Sequence, residues 1–218
     1  MKIFNKGLLM LLTGLLVSGT GCKKYLEEKS ISDITSDSYY NTSQGFEDLV
    51  KSCYSPLRGI SKQRNLVLLG TDVFTSNGWD DAAAGSALNS YDVTFNSSVG
   101  DLDALWNLLY MEIGRTNTAI SRAGNVTDID QNQLRVRMAE AKFLRAFCYF
   151  YLVQQWGDVP LRLTETVSPS KASTKSQAAA VYTQIISDLS EAAAPLPPAA
   201  SDYGRPTKGA APLLLARV

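Results

Sequence analysis

From Ser43 to Leu57 the apolar side chains Phe46, Leu49, Val50, Cys53, Tyr54 and Leu57 recur at steps of three and four. That spacing puts them on one face of a 3.6-residue helix, so the segment is predicted to be a buried amphipathic helix. Thr42 or Ser43 is its expected N-cap, Glu47 and Asp48 suit its positive end, and Pro56 is expected to end or kink it. A second stripe runs from Asp101 to Arg122 through Leu102, Leu105, Trp106, Leu109, Tyr110 and Ile113, with Asp101 as cap and Gly124 as stop. A third begins near Asp130 and reaches Trp156, with Gly157 as its stop. Its second half holds Phe143, Phe147, Tyr149, Phe150, Tyr151 and Trp156, the density of a helix packed on more than one side. A fourth, Lys175 to Ala194, carries Ala178, Val181, Tyr182, Ile185, Ile186 and Leu189 and is closed by Pro195, Pro197 and Pro198. A fifth starts after Thr207 and carries Leu213, Leu214, Leu215 and Val218 to the last residue. Such a terminal apolar run reads as a longer domain cut off, or else as a short docked helix. Only Leu66 to Leu69 and Tyr91 to Phe95 have extended character. The fold class is therefore all-α (mainly), built from antiparallel helix pairs.

Helix pairs of this length suggest a tetratricopeptide-like solenoid with long irregular loops, although the full repeat consensus is absent. The 218 residues hold 21 basic and 21 acidic side chains and no histidine. A balanced charge argues against nucleic acid as the main partner, because no basic excess exists to displace counterions from phosphates. Without histidine, a Ser-His-Asp triad, a Cys-His pair and a His-ligated zinc site are impossible. Cys53 and Cys148 lie among apolar residues and read as small buried hydrophobes.

The amino end has the pattern of an address. Lys2 and Lys6 precede an apolar run from Leu8 to Val17, then come Ser18, Gly19, Thr20, Gly21 and Cys22. Ten apolar residues suit a signal-peptide core and are too few to span a bilayer. Small residues before a cysteine resemble a bacterial lipobox, which makes Cys22 the expected site of lipid attachment. A plain secretory signal followed by an incidental cysteine is the alternative. The expected organisation is a signal peptide at 1–21, a lipidated tether at 22–37 and a helical domain at 38–218. Cleavage removes two lysines and no acid, so the mature chain has a net charge of −2. Acyl chains contribute about 0.8 kcal/mol per buried methylene, enough in combination to hold a soluble domain at a membrane.

The stretch from Thr71 to Gly100 is the longest without a helical stripe, and loops of this length are usually functional or disordered. Within it stand Asn77, Trp79, Asp80 and Asp81. A tryptophan among small polar residues has no stripe to join. Its flat face suits stacking on a sugar ring, with Asn77 and Asp80 bonding hydroxyls. The alternatives are a Trp79 folded back to pin the loop, or a hard cation held by Asp72, Asp80 and Asp81. Tyr39 and Tyr40 are either an interface patch or an entry clamp for the first helix.

Glu140-Ala141-Lys142-Phe143-Leu144-Arg145-Ala146, Tyr149-Phe150, Leu152-Val153 and Gly157-Asp158-Val159-Pro160-Leu161 together resemble the signature of the SusD/RagB family. Trp106, Tyr110, Ile113 and Asn117 are similar to the family's preceding helix. Val181-Tyr182, Ile185 and Asp188-Leu189 are similar to the following one, and Gly204-Arg205, Thr207-Lys208 and Ala210-Ala211 to the start of the next. Lys24-Tyr25-Leu26-Glu27 fits the family's mature N-terminus. Pro212 departs from the pattern, since an interior proline would cost a helix roughly 3 kcal/mol. The resemblance implies a nutrient-binding lipoprotein of the outer membrane. It would take a glycan and deliver it to a SusC-like TonB-dependent transporter, with no cofactor and no catalysis. Glu140 and Arg145, five apart, do not face each other and are expected to pair with a neighbouring helix or loop. The competing readings are an incomplete helical scaffold without a ligand and a glycosidase using two carboxylates.

Overall fold

The protein, seen in a computed structural model, is described over residues 35–62, 96–97, 99–168, 173–200 and 202–218. Its helices there are α1 (Ser36–Tyr40), α2 (Ser43–Ser52), α3 (Ser55–Lys62), α4 (Gly100–Arg122), α5 (Gln131–Trp156), α6 (Ala178–Ala193) and α7 (Ala210–Leu215), with a 3-10 turn at Ala123–Asn125 after α4. They belong to a unit spanning Ser36–Val218. The only β feature among the described residues is an antiparallel bridge between Val159 and Ser176. The all-α expectation holds. The candidate strands at 66–69 and 91–95, the signal peptide and almost all of the tether lie outside the described residues.

The first stripe makes two helices instead of one. The chain turns at Cys53 and Tyr54, whose N–H groups bond back to Val50 and Lys51 carbonyls at 3.1 Å. Pro56 then stands second in α3, where a missing N–H costs nothing, so it opens a helix where it was expected to close one. Thr42 caps α2 by accepting from the Gly45 N–H at 3.1 Å. Asp101 is not the cap of α4. Val99 holds that position, and Asp101 and Asp103 sit in the first turn, where their charge faces the helix dipole. Asp130 caps α5 as expected, accepting from Asn132 and Gln133 N–H groups at 2.9 and 3.0 Å. Gly157 ends α5 with φ 67°, a conformation that suits glycine. The fourth helix begins at Ala178 because Ser176 is drawn into the bridge, its N–H 2.9 Å from the Val159 carbonyl. Pro212 is third in α7, within the first turn, so the expected penalty is avoided; Gly209 is the N-cap.

Side-chain pairs fix the helix directions. Ser43 meets Asp128 just beyond α4, while Ser52 receives Arg115, so α2 runs against α4. Trp106 near the start of α4 touches Trp156 at the end of α5, and Asn117 meets Arg145, so these two are antiparallel. Lys142 bonds Glu191 and Arg145 bonds Asp188, which makes α5 and α6 antiparallel too. The main core gathers Leu105, Leu109 and Ile113 of α4, Cys148 to Val153 of α5 and Val181, Ile185 and Leu189 of α6. A second core packs Phe46, Leu49 and Val50 of α2 and the adjoining Cys53 on Ala119, Ala141 and Leu144. Ile186 departs from its expected stripe and is 45% exposed.

Tyr39 donates to Asp48 at 2.6 Å and the Arg122 guanidinium lies 5.7 Å from the Tyr40 ring centre, so this pair clamps the entry to α2. The corner needs Gly45, because a Cβ there would stand 1.9 Å from the Tyr39 carbonyl oxygen. Gly45→Ala is expected to destabilise the protein by about 1–3 kcal/mol in urea denaturation, since backbone has to move to relieve the overlap. An unchanged midpoint would mean that the corner yields freely.

Candidate functional site

Arg145 is 5% exposed and sits between three elements. Its Nε and Nη2 donate to Asp188 of α6 at 2.8 and 2.7 Å, a two-pronged pair. Its Nη1 donates to Asn117 Oδ1 of α4 at 2.9 Å and to the Leu163 carbonyl at 3.2 Å. Asn117 in turn donates to the Arg162 carbonyl at 3.0 Å. Tyr149 donates to that same carbonyl at 2.7 Å and accepts from the Arg162 N–H at 2.6 Å. Burial pushes the Tyr149 phenol up to about 12, keeping it protonated and able to donate. Tyr110 donates to the Pro160 carbonyl at 2.7 Å. Four side chains from α4 and α5 thus fix the main chain from Pro160 to Leu163. Asp158 takes part at its start, accepting from the Ala178 N–H at 2.8 Å where α6 lacks a cap of its own.

A second network fixes the turn before α7. Glu47 receives Arg137 at 2.5 Å and Arg205 at 2.6 Å. Glu140 receives Arg137 at 2.6 Å, Arg205 at 2.8 Å and Tyr54 at 2.7 Å. Burial opposes the Glu47 charge, but the two guanidiniums prevail and hold its carboxyl below the usual range. Glu140 and Arg145 therefore reach different neighbours, as their spacing predicted.

The clamped segment forms one wall of a groove. Trp106 is its centre, with the Tyr110 ring 4.8 Å away on one side and the Trp156 ring 5.2 Å away edge-on. One hollow of about 400 Å³ lies between Trp106, Tyr110, Pro160, Arg162, Ser173 and Lys175. Another of about 320 Å³ lies on the other flank of Trp106, against Ser97, Leu102, Asp103 and Trp156. Their size is that of small-ligand sites, and aromatic walls with a few polar groups are the usual make-up of such sites. The half-buried rings offer faces and edges for stacking, while Arg162, Ser173, Lys175 and Asp103 supply donors and acceptors.

Glu112 of α4 is fully buried, and neither of its carboxylate oxygens has a hydrogen-bond partner among the described residues. Burial pushes its pKa up to about 8, with Arg115 pulling the other way. The thiols of Cys53 and Cys148 are buried, as expected, and unbridged, and burial followed by the nearby Glu112 charge pushes both upward.

Trp79, Asn77 and Asp80, the expected sugar contacts, lie outside the described residues, as do Asp72, Asp81 and the expected lipid site Cys22. Trp106, Tyr110 and Trp156 read in the sequence as core positions. A signal was present: two aromatics open one helix and another ends the next, and antiparallel packing brings those ends together. A helix end has too little cover to bury three large rings. Among the described residues no cluster of potential metal ligands occurs, and no helix is long and apolar enough to cross a membrane.

The SusD-like family model, described as starch-binding and associating with the outer membrane, matches residues 24–218. SusD-like protein P2 of Formosa agariphila is 30% identical over 94% of this chain and 41% of its own length. A SusD-like protein of Bacteroides fragilis superimposes with a TM-score of 0.67 at 26% identity, over 83% of this chain and 35% of that one. A laminarin-binding SusD-like protein superimposes with a TM-score of 0.59 at 29% identity, over 77% of this chain and 39% of that one. The chain belongs to the SusD-like family and spans about two fifths of the length of the relatives it matches.

Proposed function

We infer that the protein binds an oligosaccharide and delivers it to a TonB-dependent outer-membrane transporter, held at the membrane by lipid on Cys22. The observation that carries the binding part is the groove around Trp106 in a chain of this family. Ring faces beside isolated polar groups suit a ligand that is apolar on its C–H face and polar at its rim. Hydrolysis needs two acids flanking one bond, and the described lining of the groove offers a single carboxylate, Asp103. Holding a sugar is therefore the better reading than cleaving it. The delivery part rests on the family resemblance and on the lipobox-like residues before Cys22.

Asn77, Trp79 and Asp80 are proposed as further sugar contacts. Affinity electrophoresis in gels containing laminarin, starch, xyloglucan or polygalacturonate tests the reading: one of these glycans should retard the protein. Trp79→Ala is expected to weaken that retardation about tenfold, the scale of one lost stacking contact. Unaltered retardation removes Trp79 from the site, and free migration through neutral and charged glycans alike removes the binding function.

A further inference from the structure

The groove is not electrically neutral along its length. Arg162 and Lys175 lie on the Tyr110 side of Trp106, and Asp103 lies on the Trp156 side. Neither cation has a carboxylate within ion-pair distance among the described residues, whereas Arg122, Arg137, Arg145 and Arg205 all do. Arg162 leans over the Tyr110 ring at 6.0 Å, which orients its guanidinium along the groove wall without neutralising it. Its main chain is held by Asn117 and Tyr149, so the base of the side chain is fixed while its charged end is exposed. Two cations without an ion-pair partner among the described residues, beside an aromatic ring, form an acceptor for a fixed negative charge on a ring-shaped ligand.

We propose that the groove selects an anionic oligosaccharide, whose carboxylate or sulfate group sits between Arg162 and Lys175 while a neighbouring ring packs on Trp106. Asp103 then faces the uncharged end of the ligand, where it accepts hydroxyl hydrogen bonds and repels a second anion, so the sugar enters in one direction. The proposal rests on the oligosaccharide-binding reading and narrows it to one chemical class.

Titration calorimetry of the full chain compares oligogalacturonate, a sulfated galactan oligosaccharide and a neutral laminari-oligosaccharide. At least one charged ligand should bind about tenfold tighter than the neutral one, an advantage that shrinks as salt is raised. Preference for the uronate assigns the charge to a carboxylate, and preference for the galactan assigns it to a sulfate ester. In the Arg162→Gln/Lys175→Gln double variant, both sites being exposed, the ratio of charged to neutral affinity should fall towards one. Equal affinity of the unaltered protein for charged and neutral ligands overturns the selection while leaving sugar binding intact. An unaltered ratio in the double variant overturns the assignment to these two residues. Absence of binding to all three overturns the selection together with the broader reading.

Discussion

Replacing Arg145 by methionine is expected to destabilise the helical unit by about 3–5 kcal/mol, the usual cost of leaving a buried charge without its partner. Asp188 is 1% exposed and receives two of the guanidinium's bonds, so its carboxylate would be left facing apolar side chains with only Gln184, 3.0 Å away, to help it. Asn117 and the Leu163 carbonyl would each lose a donor in the same step. Asp188→Asn should show a loss of similar sign, because the guanidinium then stays buried against a neutral amide. The double change Arg145→Met with Asp188→Leu is expected to recover most of the stability, since it removes both desolvated charges together. Urea denaturation of the three variants checks this. A single-variant loss below about 1 kcal/mol, the level of an exposed pair, would mean that the network contributes little.

The second large effect has the opposite sign. Glu112→Leu should stabilise the protein by about 2–4 kcal/mol near neutral pH, because it replaces a buried, unpartnered carboxyl by an apolar side chain of similar size. The pH dependence supplies the sharper test. The folded pKa stands near 8, above the ordinary 4.5, so the folded state holds this proton longer than the unfolded chain does. Below the ordinary value both states are protonated and the contribution is fully present. As pH rises towards the folded value the unfolded state gains by ionising, and stability falls by about 1.4 kcal/mol per pH unit until Glu112 itself ionises. The groups that bear on this carboxyl are Arg115 on its own helix and the protonated thiols of Cys53 and Cys148. Denaturation midpoints measured from acidic to mildly alkaline pH should fall in the unaltered protein and change far less in the variant. Parallel profiles for the two would show that Glu112 is satisfied in solution.

Much of this was legible in the sequence. The stripes placed α4 and α5 closely because each alternates apolar and polar positions over many turns, and Asp130 and Gly157 mark the limits of α5 chemically. Boundaries moved where tertiary contacts took over. Ser176 left the fourth helix to pair with Val159, and Pro56 changed role once the chain had turned at Cys53 and Tyr54. The polar signature was readable as structure: Arg145 needed a partner beyond its own helix, and Asp188 and Asn117 supply it. Glu112 did carry a signal: it follows Leu105 and Leu109 at steps of four and three and precedes Thr116 and Ala119 at the same spacing, on the face that is buried. The groove was harder to read. Trp106 and Trp156 each satisfy a stripe, and their meeting depends on which helix ends are neighbours.

Arg162 joins these threads. Tyr149 and Asn117 hold it by its amide and carbonyl, atoms that every amino acid except proline shares. Beyond the Cβ, the contact with the body is the guanidinium over the Tyr110 ring, so the frame places little demand on the side chain at this position. A glutamine, a tyrosine or an acid here would leave the frame standing and change only what the cleft welcomes. One architecture can then carry different chemistry at the rim of its groove through single substitutions.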